Sequence, residues 1–282
     1  MNINEETGIS IGANLSLGSS SSRWDPFSLN HLFSAFHFSH LSEVIEENFI
    51  RDLDQNNRND LHEKYHYAHR SYVISSIVSS VAFLESTANE IFAGVADKLE
   101  TVYANQLKAK YGDSITSLIS TIWSLTINRP NASTPSTETR NFIERSEILN
   151  KYDILLSLCG CNALNSGEKY YQNVRTAIKI RNILVHYKPQ ILVINSDIDS
   201  ISKTEKLWDL NLKQLEKEKQ FASNRIYEND NSAAYFPNKM LGHGCAEWAA
   251  ESAVEFIKGF CNGIGIQSWQ SYQSVIDRAK EA

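Results

Sequence analysis

The stretch from Asn57 to Ala93 contains neither glycine nor proline, the two residues that most readily interrupt a helix. Within it, apolar residues recur at steps of three and four positions, which is the spacing of one face of an α-helix. These residues are Ile74, Ile77, Val78, Val81, Ala88, Ile91 and Phe92. The pattern predicts one long helix over about residues 61–99 with a buried face.

The rest of the chain is also typical of a helical protein. With five prolines among 282 residues, few positions force a helix to break. Apolar spacing predicts further helices over 27–50, 105–124, 138–158, 166–187, 202–221, 245–260 and 269–282. Loops are predicted over 52–60, 126–137 and 223–244, and the short apolar run 191–194 is ambiguous. Because strands do not alternate with helices, we expect an all-α fold, a multi-helix up-and-down bundle with extra C-terminal helices.

Composition defines the domain organisation that we expect. An apolar fraction of 42% is too high for a disordered chain and sufficient for a sizeable core. Residues 1–23 are rich in glycine and serine and lack a hydrophobic period, so they predict a flexible N-terminal arm. We expect residues 24–282 to form a single all-helical domain.

Charge and cysteine content favour a soluble cytoplasmic protein. A formal net charge of −6 argues against coating nucleic acid or anionic membrane by bulk charge, but it leaves room for a small basic site. Four cysteines are too few for a disulfide scaffold and indicate free thiols in a reducing compartment. The N-terminus lacks the pattern of a secretory signal, and the longest apolar stretch, 72–84, is too short and polar to span a bilayer.

Residues His62-Glu63-Lys64-Tyr65-His66 match the zinc-protease pattern H-E-x-x-H. On a helix the two histidines lie one turn apart, where they can bind zinc with the glutamate as general base. The obvious third ligand, Glu85, lies about 28 Å farther along a continuous helix, outside any zinc coordination sphere. Lys64 also places a cation beside the metal. We therefore expect these histidines to be exposed or to contact a neighbouring element, and we expect no metal site.

A second motif lies in the last turns of the helix that Pro189 is expected to end. Residues 181–186 read Arg-Asn-Ile-Leu-Val-His, which is R-x(4–6)-H with a polar residue after the arginine. Here the sequence resembles the HEPN superfamily of all-helical domains. Glu85 and the pair Asn89-Glu90 support the resemblance, since they are similar to an acidic position and an Asn-Glu pair on an earlier core helix of that family. The resemblance covers about residues 61–190 and leaves 200–282 as a helical extension.

Glu85 has the helical spacing of Val81 and Ala88 and therefore interrupts the apolar stripe of the long helix. A buried carboxylate is costly unless it is paired or hydrogen-bonded. Arg181 is the partner that we expect. The pair either supports function or only orients two helices, and both interpretations stay open at this stage.

The motif helix carries a polar stripe with a basic bias. Arg175, Lys179, Asn182 and His186 follow one another at steps of four, three and four positions. Arg181 lies beside this stripe and has to reach round with its long side chain. One helix thus presents Asn182 and His186 together, with the arginine on one flank.

The resemblance implies a metal-independent endoribonuclease that needs no cofactor. In such an enzyme the ribose 2′-hydroxyl attacks the adjacent phosphate and leaves a 2′,3′-cyclic phosphate and a 5′-hydroxyl. Histidine suits the proton transfer near neutral pH, and an arginine fork suits the phosphate oxygens. The implied catalytic residues are Arg181 and His186, with Asn182, Glu85 and Tyr187 in support and Arg175, Lys179 and Lys188 contacting RNA.

The resemblance also implies a homodimer with a composite active site, in a toxin or antiviral defence setting with an antitoxin or defence protein as partner. Two alternatives remain. The first is a non-catalytic HEPN-like module that binds RNA or protein and keeps the motif for dimer packing. The second is the zinc hydrolase based on His62 and His66.

Overall fold

Helices dominate the architecture, and the expected all-α class is confirmed. The computed structural model describes residues 26–53, 58–99, 101–130, 137–186, 220–228, 230, 235–267 and 272–282. The helices are α1 (Phe27–Leu53), α2 (Arg58–Ala96), α3 (Val102–Ser124), α4 (Phe142–Arg145), α5 (Ile148–Leu158), α6 (Lys169–Val185), α7 (His243–Ile264) and α8 (Tyr272–Glu281). The predicted arm 1–23, the run 191–194 and nearly all of the predicted helix 202–221 lie outside the described residues.

The uninterrupted run identified in the sequence forms α2, which packs most extensively against α1. Most of its apolar stripe is buried: Ile77 and Val81 are fully inaccessible to solvent, whereas Ile74 and Val78 are half-buried. Serine and threonine residues share this face because their hydroxyls bond to backbone carbonyls. The Ser80 hydroxyl donates to the Ser76 carbonyl at 2.8 Å, and the Ser76 hydroxyl donates to the carbonyl of Ala35 in α1 at 2.7 Å. Buried hydroxyls therefore join the two helices and have their hydrogen bonds satisfied.

Helix α7 runs through the centre of the core, and side chains from other helices bond to both of its ends. At its first residue, the Glu46 carboxylate accepts the backbone N–H of His243 at 2.8 Å. At its end, the Ile264 carbonyl accepts hydrogen bonds from Lys110 Nζ at 3.0 Å and from the Tyr111 hydroxyl at 2.6 Å. These contacts satisfy backbone groups that a helix leaves unpaired at its termini, so they fix α7 against α1 and α3.

The predicted loop 126–137 and the predicted helix 138–158 are both wrong in part. Strands β1 (Thr126–Pro130) and β2 (Thr137–Asn141) pair antiparallel, with Thr126 opposite Asn141. The chain then forms the short α4, and the longer helix α5 begins only at Ile148. Residues 138–141 are polar and lack a helical apolar period, so ladder hydrogen bonds with β1 determine their conformation.

The described residues of the predicted polar loop 223–244 are more buried than the composition of the loop suggests. Ile226, Met240 and Leu241 are at most 2% exposed, and Arg225–Tyr227 forms a 3-10 turn. Asn224 joins the two ends of the segment, because its side-chain amide donates to the carbonyls of Asn238 at 3.0 Å and Leu241 at 2.9 Å. Of the helices in the described part of the chain, none is long and apolar enough to cross a membrane.

Candidate functional site

Helix α6 separates a buried face from a polar one. Val174, Ala177 and Ile180 lie in the core and are at most 2% exposed. On the other side Arg175, Lys179, Asn182 and His186 are all exposed, as the polar stripe predicts. His186 ends the helix, and its backbone N–H donates to the Asn182 carbonyl at 3.0 Å. The last turn therefore presents the Asn182 and His186 side chains to solvent on one face.

Arg181 is half-buried on the flank of this polar face. Near it, Val185 is an exposed apolar residue with 54% of its surface accessible in the described structure. Tyr187 and Lys188, which the sequence adds to the site, lie outside the described residues.

The expected pairing of Glu85 with Arg181 is wrong. The Glu85 carboxylate contacts Lys151 Nζ of α5 at 3.2 Å, and its side chain is 41% exposed rather than buried in the stripe. The Lys151 side chain is inaccessible to solvent, and its ammonium also donates to Asn89 Oδ1 at 2.9 Å. Glu85 is thus the half-exposed counter-ion of a buried lysine, because α5 rather than α6 places a cation against it.

Sequence reasoning missed Lys151, although a signal for it exists. The buried face of α5 includes Ile148, Tyr152 and Leu155, which are spaced at helical steps. Lys151 lies on this same face, where a lysine requires a buried acceptor. The pattern therefore indicates an internal partner for Lys151, but not which residue supplies it.

Asn89 and Glu90 of α2 each bind a residue of a different helix. Asn89 bonds to Lys151 of α5, whereas the Glu90 carboxylate accepts both the backbone N–H of Ser28 at 2.8 Å and its hydroxyl at 2.6 Å. Ser28 lies in the first turn of α1, so Glu90 satisfies an unpaired donor at that helix end. Burial raises the pKa of Glu90, and the two hydrogen bonds from Ser28 oppose that shift.

The two histidines of the H-E-x-x-H pattern converge on a tyrosine. The Tyr227 hydroxyl lies 2.5 Å from His62 Nε2 and 2.9 Å from His66 Nδ1. Burial, together with the positive charge of Arg70, lowers the pKa of His66 to about 4. Among the described residues no group of three or more His, Cys, Asp and Glu side chains is arranged to hold a metal ion. The histidines therefore contact a neighbouring segment, which is one of the two outcomes expected for them.

A cavity of about 470 Å³ lies beside the opposite end of α6. Its lining includes Cys161, Asn162, Asn165 and Tyr170. Tyr170 is in the first turn of α6, about 18 Å along the helix from Asn182. The cavity is therefore separate from the Arg181–His186 arrangement.

The chain matches no protein-family model, no curated protein and no solved structure. Its function is therefore inferred from the residues of the site. Those residues comprise an exposed imidazole, an exposed amide and three basic side chains on or beside one helix face.

Proposed function

We propose that this protein is a HEPN-like, metal-independent endoribonuclease of the toxin or antiviral defence type. The observation that carries the proposal is the exposed face of the last turns of α6. There Asn182 and His186 face solvent, Arg181 is half-buried beside them, and two further basic residues continue the stripe towards the start of the helix. We expect this face to bind and cleave single-stranded RNA.

The chemistry that we propose divides the work between two side chains. His186 transfers a proton as the ribose 2′-hydroxyl attacks the neighbouring phosphate, a task for which imidazole is suited near neutral pH. Arg181 stabilises the charge that develops on the phosphate oxygens, since its planar guanidinium can donate two parallel hydrogen bonds. Asn182 orients the phosphate or the imidazole. The products are a 2′,3′-cyclic phosphate and a 5′-hydroxyl.

The proposal includes a homodimer in which two α6 helices meet across a two-fold axis. Exposed Val185 supplies an apolar contact beside the motif, and the two copies together supply two arginines and two histidines to one cleft. The net charge of −6 is compatible with this arrangement, because cleavage needs one small cationic cleft and transient contact with RNA.

One observation favours the second candidate, a non-catalytic module that binds RNA or protein. The residues of α2 that contribute to the resemblance have structural partners: Glu85 and Asn89 bind Lys151, and Glu90 binds Ser28. In that case the resemblance reflects helix packing, and the motif on α6 serves the dimer interface.

An RNA cleavage assay separates these functions. It compares purified wild-type protein, Arg181→Ala and His186→Ala, each with and without EDTA. Arg278→Ala and His40→Ala are matched controls, because both side chains lie outside α6. Cleavage that survives EDTA, persists in the controls and disappears in both motif variants supports the nuclease. A stable dimer without cleavage supports the binding module. Cleavage abolished by EDTA and by His62→Ala supports a zinc hydrolase.

A further inference from the structure

Four side chains of α2, spaced four residues apart, form a ridge that holds the segment after residue 223. Arg58 donates to the Ile226 carbonyl at 2.6 Å, and Arg70 donates to Asn238 Oδ1 at 2.8 Å. Between them, His62 and His66 both contact the Tyr227 hydroxyl. The spacing places all four on one face of the helix, so the H-E-x-x-H histidines belong to a contact between α2 and residues 224–228.

The hydrogen bonds at Tyr227 depend on how many protons the two imidazoles carry. A phenol has one proton to donate and can accept others, whereas a neutral imidazole has one donor and one acceptor nitrogen. With both rings neutral, one histidine can accept the Tyr227 proton while the other donates to the Tyr227 oxygen. When both rings are protonated, each offers only N–H groups, and the Tyr227 proton loses its acceptor.

The charges around the bridge add to this restriction. The imidazole rings stack at 4.6 Å between centroids, so two protonated rings repel each other at close range. Arg58 and Arg70 of α2 also disfavour positive charge on His62, and His69 disfavours it on His66. Asp230 acts in the opposite direction on His62.

Two carboxylates of α1 near the bridge already have partners. On the α1 side, Glu46 is paired with His69 at 2.8 Å and Asp52 accepts the Tyr65 hydroxyl at 2.8 Å. Glu46 also accepts the backbone N–H of Arg225 at 3.4 Å. These carboxylates therefore offset little of the repulsion at the bridge.

The apolar packing under the bridge is separate from the main core. Ile226 and Tyr227 join Phe49 and Leu61 in a small cluster of their own, whereas α7 and most of α2 belong to the large cluster. Contacts of this kind can open locally at a lower free energy than global unfolding. We therefore expect residues 224–228 to separate from α2 at a lower free energy than unfolding of the main core.

We propose that an acid-sensitive latch holds residues 224–228 on α2, in which the Tyr227 hydroxyl bridges His62 and His66 and is released when both imidazoles are protonated. Opening uncovers Phe49 and Leu61. The latch is independent of the RNA cleavage proposed above.

The direction of the pH response follows from linkage. The closed latch lowers the pKa values of His62 and His66 below the ordinary 6.5, so the open form binds more protons. Closure is therefore fully favoured above about pH 6.5 and weakens as pH falls towards the His66 pKa of about 4. A displacement of one pKa unit corresponds to about a tenfold change in the opening equilibrium.

Hydrogen exchange of residues 224–228, measured by mass spectrometry and corrected for intrinsic exchange rates, tests the latch. Between about pH 7 and pH 4 we expect the opening constant of the full-length protein to rise about tenfold or more, with α7 still protected. In the doubly substituted His62→Gln/His66→Gln protein this pH response should disappear. His31→Gln, which changes a histidine of α1 outside the bridge, should keep it.

Tyr227→Phe preserves the aromatic ring in the small cluster and removes only the hydroxyl. We expect this variant to exchange faster at neutral pH. Part of the acid response stays, because burial and the nearby arginines still disfavour protonation of the two imidazoles. An unchanged acid response in the double variant would overturn the latch, and so would exchange in Tyr227→Phe as slow as in wild type at neutral pH. Simultaneous loss of protection in residues 224–228 and α7 would also overturn it, because acid would then be unfolding the whole domain.

Discussion

Lys151 Nζ lies 3.2 Å from Glu85 Oε1, and the two ends of this ion pair differ in their access to water. The lysine side chain is inaccessible to solvent, whereas the glutamate is 41% exposed. Removing one partner of such a pair is costly when the charge left behind is buried, and much less so when water can solvate it. A structural role of Glu85 therefore predicts a loss of stability when Glu85 is replaced, whereas a role in chemistry alone does not.

Glu85→Ala should destabilise the fold by about 3 kcal/mol, because it leaves the Lys151 ammonium with Asn89 as its described side-chain partner. Lys151→Met should cost less than about 1 kcal/mol, since the freed carboxylate can turn to water. Urea unfolding of both variants measures the difference, with Glu63→Ala as an exposed control on the same helix. Equal losses for the two variants would show that the pair is not asymmetric in this way.

Glu46 joins three helices through buried contacts. Its Oε1 accepts from His69 Nε2 and from the backbone N–H of His243, both at 2.8 Å, and its side chain is 3% exposed. Glu46→Ala should lower the free energy of unfolding by about 3 kcal/mol, because two buried donors lose their acceptor. The exposed neighbour Glu47→Ala should change it by less than about 0.5 kcal/mol. A similar small loss in both variants would show that contacts other than those of Glu46 hold α7 in place.

His243 makes the stability depend on pH near neutrality. Its burial disfavours the charged form, but hydrogen bonding to Glu247 and to the Ser39 carbonyl and the charge of Glu43 outweigh burial and raise its pKa above 6.5. The stabilisation is complete below about pH 6.5 and is lost as pH rises through the folded-state pKa. The stability advantage of wild type over His243→Gln should therefore shrink from about pH 6 to pH 9 in urea titrations. An advantage that grows with pH has the wrong sign for this account.

The proposed RNA contacts on α6 can be tested through their salt dependence. For single-stranded nucleic acid, each phosphate contact contributes about 0.7 to the slope of log affinity against log salt concentration. Replacing both Arg175 and Lys179 by glutamine should weaken binding and flatten that slope by about 1.4 if each contacts one phosphate. The matched double variant Lys108→Gln/Arg278→Gln, on other helices, should keep the wild-type slope. Equal flattening in both would indicate that bulk charge rather than the α6 face drives binding.

Long apolar periods were the most reliable guide to the fold. The predicted helices over 61–99 and 245–260 correspond to α2 and α7, because an apolar repeat at helical spacing over many turns buries one continuous face only when the chain is helical. The hairpin at 126–141 escaped prediction, since polar strands have no such repeat and their pairing is set by the ladder. The prediction for segment 223–244 failed for a different reason. A few apolar residues in a polar sequence are buried there by contacts with distant helices.

The sequence predicts that the candidate site is exposed. It does not predict which residues contact the singled-out side chains. Helical geometry alone predicts that Asn182 and His186 share a face of α6. Which cation meets Glu85, and what His62 and His66 contact, depend on how helices far apart in sequence pack. Lys151 lies 66 residues from Glu85 in the sequence, and Tyr227 lies 165 residues from His62.

The most direct test of the proposed function is to identify the ends that the wild-type protein leaves on RNA in the presence of EDTA. Attack by the 2′-hydroxyl, with His186 transferring the proton and Arg181 binding the phosphate, predicts 2′,3′-cyclic phosphate and 5′-hydroxyl ends. His186→Ala and Arg181→Ala should each abolish these products, and His40→Ala should not. Products with 3′-hydroxyl and 5′-phosphate ends, cleavage that needs a divalent ion, or full activity in His186→Ala would contradict the proposed chemistry.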